Sequence, residues 1–227
     1  AGLAAREGLW YHVDGAFGAT AALSPALAPR LHGIERADSI AFDFHKWLQI
    51  PYDAGCLLVR DGELHRSTFA SSPSYLTRMP RGLGSGQPWF TDFTVDLSRS
   101  FRALKVWFTI KEFGARGLAA AIEENVRQAR LLGDLVDADG DLELLAPVQL
   151  NIVCFRYRAA GIPDFELDAF NDELVIRLQE SGDAIVSSTT VSGHRAIRVC
   201  IVNQRTRDED LTFTLGAIKR IAAQMLE

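Results

Sequence analysis

Two stretches of the 227-residue chain end an apolar run with a titratable side chain that could do chemistry. The first is LWYHVDGAFGA, residues 9–19, where Asp14 closes a strand-like run and precedes the small residues Gly15 and Ala16. A carboxylate in that position is expected to be partly desolvated and to need a partner, although Asp-Gly is also a common turn dipeptide. The second is IAFDFHKWLQIPYD, residues 40–53, with His45 and Lys46 following another apolar strand. Lysines are rarely buried. Lys46, flanked by FDFH and WLQIP, is expected to be partly buried, and burial disfavours the ammonium form. A neutral amine is the form that attacks a carbonyl, so this is a setting for a Schiff-base lysine. The alternative is a lysine that snorkels past Trp47 to water.

The two signals gain meaning together. In α/β sheets, ligands bind in the crevice beyond the carboxyl ends of the strands. A carboxylate at one strand end and an amine just after a neighbouring strand would point into the same crevice. A carboxylate against a pyridinium nitrogen, with a lysine on an aldehyde carbon, is what pyridoxal phosphate requires.

Other chemistries are poorly supported. His12, His32, His65 and His194 show no metal-ligand spacing, so no metal is expected. Cys56, Cys154 and Cys200 are odd in number, lie far apart and form no CxxC. They are expected to be buried free thiols in a reducing compartment. GLGSG at 82–86 is neither GxGxxG nor a P-loop, and no strand leads into it. No GxSxG is present. Arg198 is expected to make structural hydrogen bonds at a strand end rather than to hold a substrate carboxylate.

Composition sets the class. Apolar residues are 48% and charged residues 23%, ordinary for a globular fold and unlike disorder or coiled coil. The formal charge is −5 with no basic block, which argues against nucleic acid. No apolar run approaches the ~18–20 residues of a membrane span. The opening AGLAAREGLWYHVDG lacks the charged-then-apolar order of a secretory signal and has no initiator Met. A cytoplasmic chain, either a fragment or a processed product, is the expectation.

The elements that must position these residues follow from periodicity. Apolar runs at 9–13, 38–43 and 54–59 predict buried strands of a sheet covered on both faces. Residues 66–97 lack periodicity, and about thirty such residues predict a functional loop. A helix is expected over 101–114, stopped by Gly114, and another over 116–133. Strands follow at 141–145 and 149–157. A helix capped by Asp164 fits 164–181, then strands at 183–190 and 195–202. The last helix opens with the capping-box pattern Thr206 to Glu209. The chain thus changes character near residue 100, from buried sheet and site loops to an α+β layer with helices on one face.

These segments resemble the C-terminal part of group II pyridoxal-phosphate-dependent amino acid decarboxylases, the family of aromatic-L-amino-acid decarboxylase. WYHVDGAFGA (10–19) is similar to the family's aspartate strand and ADSIAFDFHKWLQIPYDAGCLLVRD (37–61) to its lysine segment. SPSYL (72–76), LSRSFRALKVWF (97–108), LNIVCFRYR (150–158) and IRVCIVNQRT (197–206) follow in the family's order. The resemblance implies an α/β fold: part of the aspartate-aminotransferase-type (fold type I) large domain plus a small C-terminal α+β domain. Residues 1–100 would be the later part of the pyridoxal-phosphate domain, with a mobile catalytic loop at about 66–97. Residues 101–227 would be a linking helix and the small domain.

The same resemblance implies roles. Lys46 would form the internal aldimine, Asp14 would pair with the pyridine nitrogen, Ala16 would pack on a ring face and His45 would sit at the phosphate or cofactor edge. Tyr75 would donate the proton to the substrate Cα after CO₂ leaves, and Arg99 would help order that region. Asp43 stands where relatives carry Asn and is not expected to bind phosphate, since like charges repel. The family's upstream half, with its phosphate loop and ring-stacking side chain, has no counterpart here. The expected activity is decarboxylation of an L-amino acid, aromatic by resemblance, within a longer or two-chain enzyme acting as a homodimer. Aldehyde synthesis, transamination and a non-catalytic dimerisation chain are the alternatives.

Overall fold

The computed structural model describes residues 1–70, 79–82, 85–86, 88–158 and 161–227. The chain divides into two compact units, Ala1–Gly114 and Ala115–Glu227.

The first unit is built on three strands in the order β1 (His12–Asp14), β2 (Ser39–Asp43), β3 (Gly55–Val59). β1 runs parallel to β2, with Asp14 opposite Ala41, and β2 runs antiparallel to β3, with Asp43 opposite Gly55. Side chains around Ser39 hold β1 in register. Trp10 Nε1 donates to the Ser39 hydroxyl at 2.8 Å, and His12 Nδ1 lies 2.7 Å from the same oxygen. The Tyr11 amide donates to the Asp38 carboxylate at 2.7 Å. Helix α1 (Gly2–Glu7) precedes the sheet and the single turn α2 (Phe44–Trp47) leaves the end of β2. Trp47, Leu48, Ile50 and Ala54 bury the segment after it.

Several expectations need correction in this unit. The run 54–59 does form β3, but Leu57 is 51% and Leu58 52% exposed, so this unit's own elements do not cover both faces of the strand. The expected aperiodic stretch 66–97 begins inside a helix, α3 (Gly62–Phe69), and contains a 3₁₀ turn at Phe90–Phe93. Asp61 caps α3, accepting from the Leu64 amide at 2.9 Å. The helical stripe expected over 101–114 is present, but Phe101, Leu104, Phe108 and Ile110 are exposed in this chain.

Helix α4 (Arg102–Asp137) runs through both units, broken at Gly114, whose φ of 67° and ψ of 162° are non-helical. Glycine adopts that left-handed φ without a Cβ clash, which is why the expected stop falls there.

The second unit has an antiparallel four-stranded sheet in the order β4 (Leu142–Leu144), β5 (Ile152–Tyr157), β7 (His194–Cys200), β6 (Ser187–Val191). Alternation along β5 and β7 puts Val153, Phe155, Tyr157 and Ile197 on one face. There they share a core with Leu132 and Val136 of α4, Leu174 and Leu178 of α5 (Leu167–Ser181), and Ile218 and Ala222 of α6 (Asp208–Leu226). The helices therefore lie on one face of the sheet, as the pattern predicted. Gly133 is required within α4, because a Cβ there would meet the Val148 side chain at 2.7 Å.

Boundaries shift for local reasons. α5 starts at Leu167 with Glu166, not Asp164, at its cap, because the Glu166 amide turns back to the Pro163 carbonyl at 2.9 Å. The cap of α6 is one residue later than expected: the Arg207 amide donates to the Asp210 carboxylate at 2.8 Å. The three cysteines are free but only half-buried, not fully buried. That burial still pushes the thiols of Cys56, Cys154 and Cys200 up. Among the described residues, no helix is long and apolar enough to cross a membrane.

Candidate active site

The carboxyl ends of β1 and β2 lie side by side because the strands are parallel and neighbouring. Asp14 is the last residue of β1, and the chain turns at once: the Gly15 amide donates to the Ala41 carbonyl at 2.8 Å and the Ala19 amide to the Gly15 carbonyl at 3.1 Å. Asp14 Oδ1 accepts from the Ala16 amide at 3.1 Å. The Asp-Gly pair is thus both a turn and the carrier of a strand-end carboxylate. Asp14 is exposed in this chain, not partly desolvated as expected.

Lys46 sits on α2, three residues after the end of β2. Its side chain is 34% exposed, so the partial burial expected from its apolar neighbours is present. The amine lies 2.8 Å from Asp43 Oδ2 and 5.0 Å from the centre of the Phe17 ring. His45 accepts at Nδ1 from the Ala54 amide at 3.0 Å, which leaves its proton on Nε2. Its ring meets Tyr52 edge-on at 4.6 Å.

Asp14, Ala16 and Lys46 line one cavity of about 810 Å³, in the range of small-molecule sites. Arg99 lines it too, ion-paired to Asp96 at 3.5 Å. His45 is not among the lining residues, since its ring is turned to Tyr52 and Ala54. Tyr75 lies outside the described residues.

The structure adds groups that sequence reasoning missed. Asp53 receives Arg102 Nε at 2.9 Å across 49 positions of sequence, and both line the cavity. The hydrogen bond from Arg102 holds the Asp53 carboxyl below its ordinary range. His65 packs its ring at 5.4 Å from Phe69 and 5.3 Å from Phe93, also on the cavity wall. The Asp43–Lys46 and Asp96–Arg99 pairs did carry a signal, the i,i+3 spacing of opposite charges. Among the described residues, no group of three His, Cys, Asp or Glu could hold a metal ion.

Comparison with known proteins decides the family. Residues 1–158 match the family described as the pyridoxal-dependent decarboxylase conserved domain. The chain belongs to the pyridoxal-dependent decarboxylase family. An aromatic-L-amino-acid decarboxylase of Bacillus atrophaeus is 36% identical over 96% of this chain and 46% of its own length. A histidine decarboxylase of Drosophila melanogaster is 37% identical over 98% of this chain and 25% of its own. Among solved structures, Oryza sativa TDC with PLP and tryptamine superposes on the whole chain with a TM-score of 0.89. It shares 32% identity and is covered over 47% of its length. The chain spans about half the length, or less, of the relatives it matches.

Pyridoxal phosphate is the cofactor of this decarboxylase family, and the residues present fit it. An amine and a carboxylate share one cavity, with the small Ala16 beside them.

Proposed function

We propose that this chain forms the lysine-bearing side of a pyridoxal-phosphate-dependent carboxy-lyase, which converts an aromatic L-amino acid to the amine and CO₂. The observation that carries the reading is the placement of Lys46 and Asp14 on one cavity. Relatives named for aromatic amino acids, tryptophan and histidine support a substrate with a planar ring. A homodimer in the cytoplasm, completed by an upstream half in the same chain or another, belongs to the same proposal.

Pyridoxal phosphate, when bound, supplies the electron sink for the pair left on the substrate Cα as the carboxylate departs. Lys46 would hold the cofactor through its amine. Asp14, through the oxygen not committed to Ala16, keeps a proton on the ring nitrogen. Ala16, on the cavity wall, would offer its methyl group to a face of the cofactor ring. His45, whose ring is turned to Tyr52 and Ala54 and does not line the cavity, would serve a cofactor edge only through its Nε2 proton, a role that rests on the family resemblance. Tyr75 donates the proton that replaces CO₂ at Cα, and Arg99 orders the segment around it.

The experiment has two parts. Incubation with pyridoxal phosphate and borohydride should add the cofactor's mass at Lys46, and Lys46→Ala should remove that label. A label of equal intensity in the variant would discard Lys46. Product analysis then fixes the reaction: wild type should release amine and CO₂, whereas Tyr75→Phe should keep cofactor absorbance and shift toward aldehyde with ammonia. Aldehyde as the main wild-type product would replace the decarboxylase reading with an aldehyde synthase.

A further inference from the structure

We propose that Asp43 is a positioning residue that withholds Lys46: without cofactor, its carboxylate holds the amine as an ion-paired ammonium at the end of β2. The inference rests on the reading of Lys46 as the cofactor lysine.

The geometry points to Asp43 and not to the neighbouring carboxylates. Asp43 Oδ2 lies 2.8 Å from the Lys46 amine, and both side chains are less than half exposed. Among the described residues, Asp43 is the wall acid ion-paired with Lys46, and the other acids meet different groups. Asp53 binds Arg102, Asp96 binds Arg99, and Asp14 accepts the Ala16 amide. The two remaining titratable groups on the wall carry no carboxylate: His65 is held between Phe69 and Phe93, and burial keeps the Cys56 thiol protonated. His45, on the same turn as Lys46, is bound to Ala54.

The fold makes room for this pair. Asp43 stands opposite Gly55 in the β2–β3 register. A Cβ at Gly55 would come within 3.2 Å of Asp43 Oδ1, so glycine there leaves the carboxylate its place. One helical turn then brings Lys46 back over Asp43, since residues three apart share a face. On its other side the amine lies over the Phe17 ring, which also favours a cation. An ammonium has no lone pair to attack with, so the pair must open before Lys46 can react.

The test reads the reactivity of the lysine itself. Trace acetylation with acetic anhydride transfers an acetyl group to a neutral amine, forming the amide bond, expelling acetate and releasing the amine's proton to solvent. Lys46 labelling is measured by mass spectrometry in this chain at neutral pH, with Lys105 and Lys111 as internal references. Asp43→Asn should raise Lys46 labelling about three- to fivefold, the range of a partly exposed ion pair. Asp43→Glu should restore slow labelling. Salt raised to about 1 M should speed labelling in wild type but not in Asp43→Asn, because screening acts only where the pair exists.

Equal labelling in wild type and Asp43→Asn, or wild-type labelling that ignores salt, would overturn the proposal. The wild-type salt series decides the matter alone should the variant fail to fold. If pyridoxal phosphate and borohydride mark a different lysine while Asp43→Asn still unmasks Lys46, the ion pair stands and the cofactor assignment falls.

Discussion

Gly15 leaves no room for a side chain beside Ala19. A Cβ at Gly15 would lie 2.5 Å from the Ala19 Cβ and 3.3 Å from the Ala41 carbonyl oxygen. The turn that aims Asp14 thus depends on a hydrogen atom where every other residue has carbon. Gly15→Ala must push either the 3₁₀ segment Gly18–Leu23 or the end of β1 aside. Overpacking of this kind costs about 1–3 kcal/mol. Chemical unfolding should show that loss, and steady-state kinetics should show reduced turnover, because Asp14 moves with the turn.

Asp14→Asn keeps the shape of the side chain and its bond to the Ala16 amide but loses the charge. Cofactor uptake should survive while turnover falls. The loss is expected to be on the order of 10²–10³ in kcat, typical of a removed electrostatic partner. Steady-state kinetics alongside cofactor absorbance separates the two effects, and near-wild-type turnover would remove Asp14 from the site.

In the second unit, Asn171 on α5 clamps Tyr157 on β5 through both backbone groups. Its Oδ1 accepts from the Tyr157 amide at 2.8 Å, and its Nδ2 donates to the Tyr157 carbonyl at 3.0 Å. Asn171 is fully buried. Asn171→Leu fills the same volume but orphans a buried donor and acceptor, and should cost about 3 kcal/mol. Urea unfolding monitored by circular dichroism would show a lower midpoint with an unchanged slope.

The pair Lys219–Asp139, at 2.6 Å, gives a stability effect with a defined pH window. The hydrogen bond from Lys219 holds the Asp139 carboxyl below its ordinary range, and the bond to Asp139 pushes the Lys219 amine up. The Asp139 contribution is fully present above an unfolded carboxyl pKa of about 3.9 and fades as pH falls through its lower folded value. The Lys219 contribution is present below about pH 10.4 and fades as pH rises through its higher folded value. Asp139→Asn should cost about 0.5 kcal/mol at neutral pH, since the pair is partly exposed. The difference from wild type should close at acid pH in thermal melts taken across the range.

What the sequence determined by itself was local. Asp14, Ala16, His45 and Lys46 sit within short apolar runs whose strand character and polar endings are visible in order, and the second unit's strands and helices follow their periodicity. Gly114 was legible as a stop because a glycine after a helical stripe has few other uses. What the tertiary structure decided was pairing across distance: Asp53 with Arg102, Asn171 with Tyr157, and His65 with Phe93. No local pattern encodes which partner a side chain meets after the chain turns back. The α5 cap shifted because a backbone turn from Glu166 to Pro163 displaced the expected side-chain cap, and the α6 cap shifted because Asp210 caps the Arg207 amide in place of the expected Thr206–Glu209 pairing. The uncovered Leu57 and Leu58 have the same origin: an apolar run announces that a strand wants cover, but only the assembled sheet determines whether that cover is present.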